Sequence, residues 1–169
     1  MFEVQQTSQS TESTTISAVA QPLIKVHIAL NVTDVEKSVA FYSAMFGVKP
    51  VKHKPGYAKF DIAQPALNLT LNHVNEVPTA GALSHLGIQA PSTSMVLEAR
   101  ERLNSRGLTT SDEMEADCCY ALQDKIWLTD PDGYRWEVFT VKIDDTRPEL
   151  RAGLEKECSL PLAKQSCCA

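Results

Sequence analysis

Two histidines and one glutamate are the residues whose types and placement best suit a metal site. His27, His85 and Glu137 each stand in a short segment where mostly apolar residues flank a polar one. Neighbouring residues of a strand point to opposite faces, so the flanks pack inward and the three polar residues point the other way. Two neutral imidazoles and one carboxylate form the facial triad that suits Fe(II), with open positions for O₂ and a substrate. His53, which lies among lysines, and His73, which lies near a loop, are weaker candidates.

For each histidine alone, the alternative is a hydrogen-bonded core residue without a metal. That alternative is the better one for any single histidine of a globular domain. The matching positions of His27 and His85 in two similar segments, together with Glu137 in a third, favour the metal site instead.

An adjacent cysteine pair, Cys118–Cys119, is the second feature that could do chemistry. The sequence has five cysteines, and an odd number without a signal peptide argues against a disulfide framework. Thiolates prefer soft, thiophilic acceptors, so the pair is a candidate ligand site. The alternative is two small buried residues. A second pair, Cys167–Cys168, is better explained as part of an unstructured tail than as a relay to this site.

The residues around the cysteine pair show no strand alternation from Met114 to Tyr120. Both thiols can bind one atom only where the backbone is irregular, since adjacent side chains of a regular strand point oppositely. We therefore predict a mobile loop over 114–125 that closes on a substrate, with Tyr120 and Lys125 as loop contacts. The alternative for both contacts is an ordinary surface residue. Nearby acids should raise the pKa of the thiols; they are Asp112, Glu113, Glu115 and Asp117.

The elements that must position these residues occur twice along the chain. His85 follows His27 by 58 residues, and Gly107 follows Gly47 by 60. Each copy begins with a strand and continues into a capped helix that ends at a glycine, and three short strands follow. The predicted strands cover 25–32, 48–53, 58–62 and 66–73 in the first copy, and 83–90, 108–113, 121–128 and 134–141 in the second. The near-constant offset indicates an internal βαβββ duplication.

We therefore predict an α+β fold in which two tandem βαβββ modules form a curved mixed sheet around the metal site. The modules span 24–74 and 82–142 within one domain, 24–142. Residues 1–23 are rich in Ser, Thr and Gln and are expected to form a disordered leader. Residues 143–169 are expected to form a C-terminal tail that carries the terminal cysteine pair.

Composition and charge argue against several classes of function. A hydrophobic content of 43% supports a packed core, and the net charge of −5 leaves no strong basic field. Nucleic acid and anionic membranes are therefore not expected as main partners. No apolar run approaches the roughly 20 residues that cross a bilayer. The N-terminal residues lack the pattern of a secretory signal, so the protein is expected in the cytoplasm.

Three segments resemble the vicinal oxygen chelate superfamily, which includes glyoxalases, bleomycin-resistance proteins and extradiol dioxygenases. They are KVHIALNVTDVEKSVAFYSAMFG, LSHLGIQA and TDPDGYRWEVF. The segment EADCCYALQDKIWLTDPDGYRWEVF is most similar to the non-haem Fe(II) C–As lyases related to cadmium-inducible proteins. The resemblance covers roughly residues 24–141. The polar leader and the cysteine-ended tail are not part of it.

The resemblance implies a ligand set and an activity. Fe(II) would be bound by His27, His85 and Glu137, and a trivalent organoarsenical by Cys118 and Cys119. The enzyme would use O₂ to cleave the carbon–arsenic bond of methylarsenite and trivalent aromatic arsenicals, releasing arsenite and conferring organoarsenical resistance. Folds of this type complete their sheets within one chain or between two, so a homodimer is a candidate assembly.

Two other functions stay open at this point. The first is an extradiol-type dioxygenase or a glyoxalase-like enzyme. A glyoxalase-like site requires a fourth protein ligand from the last strand of the first module. The site-facing positions of that strand, Asn68, Thr70 and Asn72, hold no carboxylate or imidazole. A ring-cleaving enzyme has no need of the thiol pair. The second is a non-catalytic protein whose thiols bind metalloids or cadmium, which predicts binding without O₂ consumption.

Overall fold

The computed structural model describes residues 24–78, 81–118 and 121–146. The first module consists of β1 (Val26–Val32), α1 (Val35–Phe46), β2 (Lys52–Lys54), β3 (Tyr57–Ile62) and β4 (Leu67–His73). The second consists of β5 (Leu86–Gln89), α2 (Thr93–Ser105), β6 (Ser111–Cys118), β7 (Ala121–Thr129) and β8 (Arg135–Ile143). The predicted leader and nearly all of the predicted tail lie outside the described residues.

Local sequence signals explain where both helices begin and end. The Asp34 side chain accepts a hydrogen bond from the Lys37 amide at 3.1 Å, which caps α1. Ser92 caps α2 through the Met95 amide. Gly47, with φ 71°, follows α1 in the left-handed conformation that glycine adopts without steric cost. Both predicted caps are confirmed.

The strands form two four-stranded mixed sheets, one for each module. Their orders are β1-β4-β3-β2 and β5-β8-β7-β6. In each sheet the outermost pair, β1 with β4 or β5 with β8, is parallel, and the other neighbours are antiparallel. The predicted α+β class and the duplicated βαβββ order are confirmed. Within the described residues, β1 and β5 are edge strands.

Some predicted strand limits were wrong, in ways that matter for the site. His85 precedes β5, which begins only at Leu86. The predicted strand 108–113 begins at Ser111 and runs on to Cys118, through the segment predicted to be an irregular loop. Pairing with β7 makes this acidic segment extended although it lacks alternation, since tertiary contacts override local pattern.

The two modules contact each other through α1, which packs against residues of α2 and β8 and of the turn before β8. Tyr42 of α1 and Trp136 of β8 are buried, with ring centroids 6.1 Å apart. The Tyr42 hydroxyl donates to Asp130 at 2.7 Å, and burial raises the pKa of both groups above their ordinary values. Arg102 of α2 donates to the Met45 carbonyl at the end of α1, at 2.8 Å. No helix of the described residues has the length and apolar content needed to cross a membrane.

Candidate metal centre

Two of the three predicted ligands lie close together at the second sheet: His85 immediately precedes β5, and Glu137 belongs to β8. His85 Nε2 is 3.6 Å from Glu137 Oε1, and the Glu137 side chain is 9% exposed. The Ser84 hydroxyl is 2.9 Å from His85 Nδ1, so this contact orients the ring with Nε2 toward the carboxylate. Imidazole nitrogens and carboxylate oxygens bind zinc at about 2.0–2.2 Å. A first-row divalent ion of similar size therefore fits between two donor atoms at this separation.

Lys125 and Trp127 complete the surroundings of this pair. Lys125, 3% exposed, places Nζ 3.0 Å from Glu137 Oε2. The Trp127 ring lies edge-on to the His85 ring at 5.2 Å, and its Nε1 donates to Glu113 at 2.7 Å. The Arg135 guanidinium stacks over the same indole at 4.2 Å. One side of the site is thus an aromatic wall bordered by paired charges.

Lys125 was predicted as a contact on a mobile loop, or as a surface residue. In the structure it is a buried residue of β7, so it lies neither on a loop nor at the surface, and its role as a substrate contact stays a prediction. Trp127 was not predicted at all. The available signal was the spacing: Lys125 and Trp127 are two residues apart in a strand, and Trp127 pairs directly with Glu137. Directly paired residues share one face of a sheet, so a correct register would have placed both beside the glutamate.

The third predicted ligand, His27, lies in the first sheet. Its Nε2 is 3.4 Å from the Thr70 hydroxyl, and the residue is exposed. At the other end of β1, Thr33 binds Asp132, and the Tyr134 hydroxyl donates to the Asn31 carbonyl at 3.1 Å. The C-terminal end of β1 therefore meets the turn that leads into β8. Among the described residues, no three His, Cys, Asp or Glu side chains are grouped so that they could hold a metal ion.

The weaker candidates lie at the surface of the first sheet. His53 of β2 contacts Glu36 of α1 at 2.9 Å. His73 ends β4 and is exposed. Neither position strengthens the case for a ligand, since His53 has a carboxylate partner of its own in the first module.

The predicted thiol site is described only in part. Cys118 is the last residue of β6 and pairs with Ala121 of β7, while Cys119 and Tyr120 lie outside the described residues. The four acids near the pair all have partners. Asp112 binds Arg100, Glu113 binds Trp127, Glu115 binds Lys142 and Asp117 binds Thr146. The charges of Arg100 and Lys142 offset part of the negative charge that was expected to raise the pKa of the thiols.

Gly87 lies directly beside the candidate ligand pair, and its replacement by alanine is expected to weaken metal binding about tenfold. Gly87 pairs with Glu137, and an added Cβ would lie 3.1 Å from Glu137 Oε1 and 3.2 Å from its Cγ. The carboxylate would have to move away from His85. Anaerobic titration with Fe(II) measures the effect. Gly81→Ala is the matched control, because a Cβ there has no atom within 4 Å; equal affinities of the two variants would contradict the assignment.

Comparison with known proteins shows similarity over most of the chain. The Glyoxalase/Bleomycin resistance protein/Dioxygenase superfamily model matches residues 25–138. A trivalent organoarsenical cleaving enzyme of Bacillus sp. (strain MD1) is 44% identical, over 85% of this chain and 98% of that protein. The cadmium-induced protein CadI of Mycobacterium tuberculosis (strain H37Rv) is 47% identical, over 71% and 78%.

A solved structure supports the fold. The glyoxalase/bleomycin resistance protein/dioxygenase from Alicyclobacillus acidocaldarius superposes with a TM-score of 0.58 at 18% identity, covering 74% of this chain and 96% of that one. At this identity, the likeness bears on the fold and not on the substrate.

Proposed function

Since the chain belongs to the Glyoxalase/Bleomycin resistance protein/Dioxygenase superfamily, we propose that it is an enzyme that cleaves the carbon–arsenic bond of trivalent organoarsenicals with Fe(II) and O₂. The main support for the proposal is that Cys118, a candidate thiol ligand, and Glu137, a candidate metal ligand, belong to strands of the same sheet. Strand β6, which ends at Cys118, is separated from the Glu137 strand β8 only by β7. Relatives named for organoarsenical cleavage support the substrate class. The release of arsenite would confer organoarsenical resistance.

The cysteines would bind the arsenic atom. A trivalent organoarsenical carries two hydroxyl groups in water, and each thiol replaces one of them. Each exchange forms an As–S bond, breaks an As–O bond and releases one water, so the oxidation state of arsenic does not change. Sulfur is the soft ligand that arsenic prefers. Two adjacent thiols would thereby hold the arsenic and leave its carbon substituent free for reaction.

The metal would be bound by His27, His85 and Glu137. Fe(II) bound there supplies the electrons that let O₂ react with a closed-shell substrate. Neighbouring residues orient the proposed metal ligands and balance their charge. Ser84 orients the His85 ring, and the Lys125 ammonium compensates the charge of the Glu137 carboxylate. Trp127, with Arg135 over its ring, packs edge-on against the His85 ring and restricts its position.

We further propose that a second copy of the chain supplies His27 to the His85–Glu137 pair. Within the described residues, β1 and β5 each have a neighbour on one side only. Such edges expose backbone groups that can pair with another chain. Two apolar residues next to His27, Ile24 and Val26, are 94% and 64% exposed. An interface at this edge would cover them and bring His27 to the pair.

A buried oxygen beside His27 is consistent with a further group at this edge. Asn68 pairs with His27 in the first sheet, and its Oδ1 is buried with no hydrogen-bond donor among the described residues. Buried polar atoms are normally satisfied, because an unmade hydrogen bond costs about 1–3 kcal/mol. A donor from the second copy, or a water held at the interface, would satisfy it.

Subunit complementation tests the shared site. A heterodimer of one His27→Ala and one Glu137→Ala chain should recover about half of the wild-type activity, since one of its two sites has all three ligands. Coexpression with two affinity tags isolates this heterodimer. The matched control joins His85→Ala with Glu137→Ala, whose defects fall on the same half-site, and it should stay inactive. Absence of recovery in the first pair would show that each site is built within one chain.

An oxygen electrode separates the proposed function from its alternatives. The Fe(II)-loaded protein should consume O₂ when methylarsenite is added and not when catechol is added. Uptake with catechol alone would support an extradiol dioxygenase. Thiol-dependent binding of methylarsenite without O₂ uptake would support a sequestering protein, and the proposed function would then be wrong.

A further inference from the structure

Strand β6 contains a bulge just before the cysteine pair. Glu113 pairs with Lys125, and Ala116 pairs with Gln123, so Met114 and Glu115 together lie opposite a single residue. That residue is Asp124, which lies between Gln123 and Lys125 in β7. Glu115 has φ 54°, in the left-handed region that residues other than glycine rarely adopt. The chain therefore keeps an unfavourable backbone conformation four residues before Cys119.

Asp124 holds this bulge from the neighbouring strand. It is 2% exposed, and its Oδ1 accepts a hydrogen bond from the Glu115 amide at 2.8 Å. Its Oδ2 accepts from the Thr93 hydroxyl of α2 at 2.5 Å and lies 3.5 Å from Lys142 Nζ of β8. Burial raises the pKa of Asp124, but the bonds from Thr93 and Glu115 and the charge of Lys142 outweigh it and lower the pKa overall. The carboxylate thus connects α2 and three strands.

Asp124 places a carboxylate in a row of β7 that also holds buried apolar residues. Ile126 and Leu128, at the alternate positions of β7, are buried apolar residues of the core. A carboxylate in this row gives up hydration that an apolar residue would not need. Asp124 also lies on the opposite face from Lys125 and Trp127, so it cannot contact the metal centre directly.

The bulge decides which face of the sheet position 118 occupies. Beyond the bulge, Cys118 pairs with Ala121, which is four residues from Lys125 in β7. Directly paired residues share a face, and positions an even number apart share a face, so position 118 falls on the face of Lys125 and Glu137. In an unbroken strand, position 118 would lie five residues after Glu113 and therefore on the opposite face. A one-residue change of register moves every position to the other face.

We propose that Asp124 is a positioning residue that fixes the β6 bulge and so places position 118 on the face of the metal centre. This inference rests on the proposed function, because it assumes that Cys118 and Cys119 bind the arsenical. It assigns to Asp124 no contact with substrate or metal. Without the Asp124 carboxylate, the ladder beyond Glu113 is free to slip by one residue, which moves position 118 to the face opposite the metal centre.

Binding of phenylarsine oxide to the iron-free, reduced full chain tests this role. Cys158, Cys167 and Cys168 are replaced by serine throughout, so that Cys118 and Cys119 are the thiols that remain. Asp124→Ala should weaken binding by about tenfold or more, because chelation by two linked thiols is lost. Asp124→Asn keeps an oxygen for the Glu115 amide and should bind within about twofold of the parent. Thr93→Val, at the start of α2, should weaken binding by about twofold to fivefold, since the carboxylate loses one of its orienting bonds.

A second measurement distinguishes a positioning role of Asp124 from a general loss of folded structure. Fe(II) affinity should change less than about twofold in all three variants, because Asp124 does not contact His85 or Glu137. Hydrogen exchange of residues 113–118 should speed up in Asp124→Ala and not in Asp124→Asn. A general loss of structure would instead weaken Fe(II) binding in parallel with arsenical binding.

The outcomes are distinct. Wild-type affinity in Asp124→Ala would overturn the inference and leave the proposed function intact. If Asp124→Ala fails to fold, Thr93→Val decides, and unchanged arsenical affinity in that variant overturns the inference. Failure of the parent itself to bind phenylarsine oxide would overturn the inference and the thiol site of the proposed function together.

Discussion

Replacing Glu137 with alanine is expected to lower turnover of methylarsenite by more than about 100-fold and to abolish stable Fe(II) binding. Glu137 is the only carboxylate of the proposed ligand set, and its Oε1 lies 3.6 Å from His85 Nε2. Without it, the metal would be held by imidazoles alone. The buried Lys125 ammonium, 3.0 Å from Glu137 Oε2, would then face the metal position without the compensating charge. Two like charges close to each other repel, and burial of one of them strengthens the repulsion.

Loss of activity could also follow from loss of folding, since breaking a buried ion pair costs about 3–5 kcal/mol. Glu137→Gln keeps the volume of the side chain and should fold, yet it should lose nearly as much metal affinity, because an amide is a poor substitute for an anionic ligand. Glu98→Ala, at an exposed position of α2, is the control and should behave as the wild type. Full iron occupancy in Glu137→Gln with unchanged turnover would remove Glu137 from the ligand set.

Replacing either cysteine of the pair with serine is expected to remove binding of trivalent arsenicals, while Fe(II) binding stays within about twofold of wild type. Serine offers a hard oxygen in place of a soft sulfur. One remaining thiol would form a single As–S bond, which water reverses readily, whereas two thiols hold the arsenic as a chelate. Turnover should fall with the affinity, since arsenic would no longer reside beside the metal.

Titration with phenylarsine oxide, read out by loss of free thiols, measures this effect. Cys158→Ser is the matched control, because it removes one thiol from the chain and leaves the adjacent pair intact. Arsenical binding that persists in the Cys118→Ser/Cys119→Ser double variant, at wild-type affinity, would show that the arsenic binds elsewhere. The adjacent cysteines would then have no role in arsenic binding.

Much of the fold could be predicted from local signals. Asp34, Ser92 and the glycines after the helices limit α1 and α2, and the repeated order of elements identifies the duplication. The limits of β6 could not be predicted, because its bulge interrupts the two-residue period by which strands are found. Glu115 in the left-handed conformation has no local sequence signal. The carboxylate that holds it, Asp124, comes from the next strand.

The proximity of His85 and Glu137 could be predicted from the sequence, but the residues around them could not. His85 and Glu137 came from residue type and position, and the structure brings them together. The burial of Lys125 could not be foreseen, since a lysine is usually exposed and only the register with β8 places it beside Glu137. Whether His27 can reach His85 and Glu137 of the same chain depends on the distance between the two sheets. That distance depends on how the modules dock through Tyr42, Asp130 and Trp136, which no local pattern encodes.

The most direct test of the proposed function is arsenic speciation after the reaction. The Fe(II)-loaded protein is incubated with methylarsenite in air, and the arsenic species are separated by chromatography and detected by mass spectrometry. Methylarsenite should be converted to inorganic arsenite in air, and it should be recovered unchanged under argon or with the Glu137→Gln variant. Recovery of intact methylarsenite from the aerobic, Fe(II)-loaded wild-type protein would contradict the proposed function.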